Sequence, residues 1–182
     1  MYVIRDATNA FAKLDHTPAD DIAALDKSLR NLTQRAYIQT AGRQGRAEAY
    51  PLKSICALRL MYTAFQYGLG RGQVAAFSQY LQVAPAGALM ARAEKVDGGI
   101  RPLSPIEEAI ERTREGESFD MGFAMLSDGT FKPFANWNAD QPNATVDAIL
   151  GALETPPPPP VDAKFDVPAS RLIAELMAEL GA

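Results

Sequence analysis

The chain has 182 residues, a net charge of −4, a 47% share of hydrophobic residues and one cysteine, Cys56. That apolar share is enough to build a core and excludes wholesale disorder, while one cysteine excludes an intramolecular disulfide and a cysteine-rich zinc site. The opening MYVIRDATNAF lacks a basic region followed by an apolar run, so no signal peptide is expected; no stretch approaches the roughly 18 apolar residues of a membrane span.

The charge is unevenly spread. Residues 1–82 hold ten Lys/Arg against six Asp/Glu, a balance of +4, and residues 83–182 hold eight against sixteen, a balance of −8. A basic front and an acidic back is the pattern of a nucleic-acid-binding module joined to something else.

Ala7, Ala10, Phe11 and Leu14 recur at helical spacing, so a first short helix is expected over residues 5–14. Thr17 and Pro18 make a start signal for a second, over about 18–36, whose apolar stripe is Ile22, Leu25, Leu29, Leu32 and Ala36. Gly42 and Gly45 break that pattern and predict a tight two-strand ribbon ending at Tyr50. Pro51 opens a third helix that buries Leu52, Ile55, Leu58, Met61, Tyr62 and Phe65 and stops at Gly68; a fourth carries Val74, Phe77 and Leu81. Helices flanking a hairpin in this order are the winged helix-turn-helix arrangement.

Further on, VAPAGALMARAEKV reads as a short helix and DGGIRP as a turn. Ser104, Pro105 and Glu107 form a capping box before a charged helix, and residues 118–137 read as a hairpin about Asp128-Gly129. PPPPP, residues 156–160, is a stiff spacer of roughly 15 Å at about 3.1 Å per residue. A terminal helix then sets Leu172, Ile173, Leu176, Met177 and Leu180 on one face. The expected fold is mainly α with a small β wing: a winged-helix domain over 1–82, an accessory α+β region over 83–155 with a β-hairpin, and a polyproline linker plus amphipathic helix over 156–182.

Opposite the stripe of the second helix lie Lys27, Arg30, Asn31, Gln34 and Arg35. Arginine can grip guanine with two hydrogen bonds, and asparagine or glutamine can pair with adenine. On the ribbon, Arg43, Gln44 and Arg46 surround a glycine that keeps the backbone thin, which suits phosphate or minor-groove contact. Tyr50 and Lys53 are expected to add phosphate contacts. Asp20 and Asp21 oppose this unless they sit as dipole partners at the helix N-terminus.

From Tyr50 onward the spacing resembles the DNA-binding domain of MerR-type transcription regulators. Leu58 and Arg59 follow that tyrosine by eight and nine residues, then come Met61, Gly68 with Leu69, and Val74; upstream, Leu29, Arg30 and Arg43 resemble the recognition-helix and wing-tip positions. The resemblance covers about residues 26–82 and implies a duplex-DNA reader. Departures are Ala36 for a glycine, Glu48 for an arginine, a longer first segment with Asp20 and Asp21, and no long dimerisation helix.

Other chemistry finds no footing. His16 stands alone and reads as a surface helix end; GLGRGQ at 68–73 lacks the strand and Lys-Ser/Thr of a phosphate cradle and reads as a turn between helices. Residues 107–120 read as a charged helix face without metal-ligand spacing, Cys56 as a small buried side chain, and the Met and Phe residues of 119–134 as core. No cofactor and no catalytic residue is expected. The sequence therefore points to a cytoplasmic, nucleoid-associated, sequence-specific DNA-binding regulator of transcription, dimeric on a two-fold site, bacterial or phage. The alternative is an adaptor or antitoxin-like protein. Its acidic back half and terminal helix (Leu172, Ile173, Leu176, Met177, Leu180) would dock RNA polymerase or another regulator, the other reading of that face being that it folds back on the protein's own core or pairs with a second copy.

Overall fold

The computed structural model describes residues 1–35, 38–84, 92–97, 99–138 and 159–182, with Arg35 described in its backbone alone. Among them the chain is a mixed α+β fold, about half helical, with six α-helices and small antiparallel sheets.

Helix α1 (Ile4–Leu14) starts where Asp6 accepts the Val3 amide at 2.8 Å, and it buries Ala7, Ala10 and Phe11. Past its end lies exposed His16, whose φ of +52° turns the chain toward Pro18, which takes the N-cap position of the next turn in place of Thr17 without a side-chain capping bond. A 3₁₀ turn (Ala19–Asp21) leads into α2 (Ile22–Arg35), which buries Leu25, Leu29 and Thr33. Asp20 and Asp21 thus sit at its N-terminal end, where the helix dipole favours carboxylates.

Strands β1 (Arg43–Gln44) and β2 (Ala47–Glu48) form the expected ribbon, turned at Gly45 with φ +64°. Its base is pinned to the chain start by a two-way backbone bridge, Tyr2 N to Tyr50 O at 3.0 Å and Tyr50 N to Tyr2 O at 2.7 Å. Helix α3 (Leu52–Gln66) follows Pro51 and runs through the centre of the molecule, with every residue from Ser54 to Tyr62 buried. Phe65, expected inside, is 44% exposed because it falls where α3 emerges from the core. Gly68 (φ +91°) and Gly70 turn the chain into α4 (Arg71–Gln82), which buries Val74, Phe77 and Leu81.

Two stretches differ from expectation in the next segment. Ala93–Val96 is strand β3, not helix, and Gly99–Pro102 is its partner β4, not a turn. Glu94 and Arg101 face each other across this pair at 2.6 Å, an exposed cross-strand ion pair that adds a small stabilisation. Residues 85–91 of the expected helix lie outside the described residues.

Helix α5 (Pro105–Arg114) begins at the Ser104 capping box, with the Ser104 amide donating to Glu107 at 2.9 Å. Its charges are not all on a solvated face. Glu108 and Arg112 are both 5% exposed and bonded to each other at 2.8 Å, and the Arg112 guanidinium lies 5.2 Å from the centre of the Trp137 ring.

Strands β5 (Met121–Leu126), β6 (Phe131–Ala135) and β7 (Val161–Val167) form an antiparallel sheet in the order β6-β5-β7. The expected hairpin about Asp128-Gly129 is present, and β7, absent from the sequence reading, doubles β5 on its other side. Gly122 is required there, because a Cβ would come within 1.9 Å of the Phe165 carbonyl oxygen. Of the Met and Phe residues of 119–134 expected inside, Phe119, Met121 and Phe123 are core, Met125 and Phe134 are half-buried and Phe131 is exposed; Phe77 meets Phe123 at 4.9 Å.

Helix α6 (Ala169–Leu180) ends at Gly181, φ +65°. It packs on α1, α3 and α5. Leu172, Ile173, Leu176 and Met177 are buried and Leu180 packs against them, so the expectation that this face docks another protein is corrected: it fills the protein's own core. One apolar cluster runs from Ile4 of α1 to Met177 of α6.

Candidate nucleic-acid interface

The outward side of α2 and the ribbon border one groove. It is about 1020 Å³ in volume, lies between α1, α2 and β2, and is lined by Arg5, Asn9, Arg30, Gln34 and Arg46 among others. Arg30 and Gln34 share it because they stand four residues apart, one helical turn. Arg46 reaches it from the ribbon tip. Arg5 and Asn9, missed in the sequence, repeat the same i, i+4 spacing on the polar side of α1, opposite Ala7 and Phe11; that spacing was the signal available.

The groove is not purely basic. Asp26 accepts Arg30 Nε at 2.6 Å and Nη2 at 3.3 Å, and Thr8 Oγ donates to the same carboxylate at 3.1 Å. The Arg30 hydrogen bond holds the Asp26 carboxyl below its ordinary value, and burial opposes that in part. Arg30 is therefore oriented by a protein partner while its side chain stays 57% exposed. Glu48 is the second acid, accepting the Tyr50 hydroxyl at 2.9 Å.

The remaining candidates divide. Lys27, Arg43 and Gln44 are exposed, and Arg43 stands opposite Glu48 in the ribbon register. Asn31 is exposed but turns to the far side of α2, onto an apolar groove of about 400 Å³ with Leu32, Phe65 and Val74. Tyr50 is corrected from phosphate contact to core: it is 3% exposed, and burial, with the Glu48 bond next, pushes its hydroxyl up from the ordinary value. Lys53 faces away from the groove, donating to Glu107 at 2.9 Å. Glu107 also receives Arg101 Nη1 and Nη2, each at 3.0 Å, so it ties the β3–β4 hairpin to the first turn of α3. Burial pushes the Glu107 carboxyl up, but the bonds from Arg101, Ser104 and Lys53 outweigh it and leave the group well below its ordinary value. The Arg35 side chain and Ala36 lie outside what is described.

The positions that carry the MerR resemblance are mostly internal. Leu58, Met61 and Val74 are core, and Arg59 is 4% exposed, bonded through both terminal nitrogens to Asp15 at 2.6 Å and set 5.0 Å from the Phe11 ring centre. Burial pushes the Cys56 thiol up to about 12, which keeps it unreactive. Among the described residues no group of His, Cys, Asp or Glu could hold a metal ion, and no helix is long and apolar enough to cross a membrane. Comparison with protein-family models, with curated proteins and with solved structures returned no match.

Proposed function

We propose that this chain binds double-stranded DNA as a winged-helix protein, α2 entering the major groove and the β1–β2 ribbon lying along the phosphates. The observation that carries the reading is the shared groove, in which the exposed side of α2 and the ribbon tip meet. The order α1–α2–ribbon–α3 and the Tyr2–Tyr50 bridge that fixes the ribbon beside α2 support it. At about 1.5 Å per residue, α2 is roughly 21 Å long and fits the roughly 12 Å wide major groove end-on or aslant.

In this reading Arg30 and Gln34 contact base edges, Arg30 already oriented by Asp26, while Lys27, Arg43, Arg46 and Arg5 neutralise phosphates and Gln44 hydrogen-bonds to them. Glu48 limits non-specific affinity, because a carboxylate beside a phosphate repels it, whereas Asp26 is paired with Arg30. Such a protein acts as a regulator of transcription on the nucleoid, in the cytoplasm, as a homodimer on a two-fold site. Any contact with polymerase would have to use a surface other than the filled apolar face of α6.

Fluorescence polarisation with duplexes selected from a random pool, titrated between 50 and 200 mM salt, tests the proposal. About four neutralised phosphates give a slope of log K on log salt near −3.6. Arg30→Ala should relax base preference, whereas Arg43→Ala should weaken binding about equally on all sequences and flatten the slope by about 1. Absent or salt-indifferent binding ends the reading.

A further inference from the structure

The two edges of the three-stranded sheet are unlike. On β6 the edge carries Pro133 in mid-strand, which has no amide to offer a further strand and blunts that edge against pairing. On β7 the seven residues from Val161 to Val167 contain neither proline nor glycine, and among the described residues their outer side pairs with no strand. The register of β7 on β5 shifts once, near Val161, and is regular from Ala163 to Val167. In that regular part Lys164 and Asp166 point to one face, both exposed, and Phe165 to the other.

We infer that β7 is the surface through which two copies of this chain pair, edge to edge and antiparallel, to make a continuous six-stranded sheet. Asp162 falls at the register shift, and within the regular part the charges select the register. In a two-fold pair, residues opposite each other must lie on the same face, so the axis passes through a residue. An axis at Lys164 would oppose Lys164 to its own copy. An axis at Phe165 sets Lys164 opposite Asp166 of the second copy, twice, and Phe165 opposite Phe165. Opposite-charge and aromatic cross-strand pairs are the stabilising ones. Within one copy Lys164 and Asp166 reach each other at 3.9 Å, the outer limit of an ion pair, and Lys164 otherwise rests 4.2 Å from the centre of the Phe134 ring. Phe165 already leans on Tyr67, 6.1 Å between ring centres, so its copy would lengthen an existing aromatic row. This pairing supplies the two-fold that the DNA reading calls for, yet it is measured without DNA and fails or holds separately.

Sedimentation equilibrium of the full chain, from about 1 to 200 µM, reads the pairing directly, because dimerisation follows mass action. Wild type should be dimeric in this range. Lys164→Asp and Asp166→Lys, each placing like charges opposite one another, should raise the dissociation constant by at least about tenfold. The double variant, which exchanges the two charges, should restore it. Phe165→Cys should form a covalent dimer on mild oxidation, and Lys132→Cys on the other edge should not. A wild type that stays monomeric, single variants that dimerise as well as wild type, or a double variant that fails to recover would each overturn the inference. Circular dichroism on every variant separates loss of pairing from loss of fold.

Discussion

The ribbon β1–β2 and the hairpin β5–β6 are built alike, two antiparallel strands joined at a glycine with positive φ, Gly45 in one and Gly129 in the other. Their uses are opposite. All four strand residues of the ribbon are exposed, and its base is fixed by the Tyr2–Tyr50 bridge. The β5–β6 hairpin buries Met121 and Phe123, sets Phe123 against Phe77 of α4, gains β7 and becomes a wall of the core. A hairpin polar on both sides has nothing inside the molecule to cover, so its side chains remain available to an outside partner. One that is apolar on one side is consumed by folding. The charges follow the same division: Arg43 and Arg46 face solvent, whereas Glu108 and Arg112 of α5, next to the sheet, are enclosed.

The largest effect expected from this contrast is on the consumed hairpin. Phe123→Ala should destabilise by about 4 kcal/mol, lost transfer energy plus the cavity left against Phe77, read by urea denaturation. The matched change on the ribbon, Gln44→Ala, should move the midpoint by less than about 0.5 kcal/mol. Equal costs would mean that the ribbon is as much part of the core as the β5–β6 hairpin.

Next comes the enclosed pair. Glu108→Ala should cost about 3 kcal/mol, the lower end for breaking a buried ion pair, because Arg112 keeps Glu117 at 2.6 Å. Replacing both Glu108 and Arg112 by apolar residues of similar volume should cost much less than either single change. A double-mutant cycle in the same denaturation assay checks it.

Glu107 sharpens the picture at the seam between the two regions, since it joins Lys53 to Arg101. Its folded carboxyl titrates below the ordinary value of 4.5, so its contribution is fully present above that pH and drains away as pH falls through the folded value. Glu107→Gln should therefore lower stability by about 1 to 2 kcal/mol at pH 7, the scale of hydrogen bonds to a charged group. The gap from wild type should narrow below about pH 4.5, seen in thermal melts across a pH series. A gap constant from pH 7 to pH 3 would mean that the ionised carboxylate is not what ties the hairpin down.

The front of the molecule was legible because its periodicities are clean and its punctuation is strong. Ala7, Ala10 and Phe11, the Leu25/Leu29 stripe, Pro51 and Gly68 mark elements that local chemistry alone would form. The ribbon was found from Gly42 and Gly45. What stayed hidden depends on distant partners. Val161–Val167 alternates apolar and polar as a strand should, but five prolines before it signalled a linker, and its pairing partner β5 is some forty residues upstream. Ala93–Val96 has helix-forming residues, and its strand state rests on pairing with Gly99–Pro102. For the site, residue type was readable and capture was not: Lys53 looked free until folding brought Glu107 to it, and Tyr50 could not be told from an exposed tyrosine before its bridge to Tyr2 placed it inside. The terminal helix shows the same limit, since an amphipathic face looks identical whether it meets another protein or its own core.

The smallest effect tests whether the ribbon is as loosely coupled to the core as this contrast requires. Gly45 has φ +64°, a conformation that costs a residue with a Cβ roughly 1 kcal/mol or more, although nothing lies within 4 Å of where that Cβ would stand. Gly45→Ala therefore adds backbone strain without a clash. Strain in a segment that opens on its own is relieved by local opening and need not appear in the global midpoint. The expected result is a loss of under about 1 kcal/mol in urea denaturation, together with faster hydrogen exchange at the Ala49 amide, which donates to Gly42 O at 2.9 Å within the ribbon. Duplex affinity should fall at the same time, because a frayed ribbon no longer holds Arg43 and Arg46 beside α2. If the midpoint instead drops as far as for Phe123→Ala, the ribbon is part of the cooperative core. If exchange quickens while affinity is unchanged, the ribbon is free but is not what touches DNA.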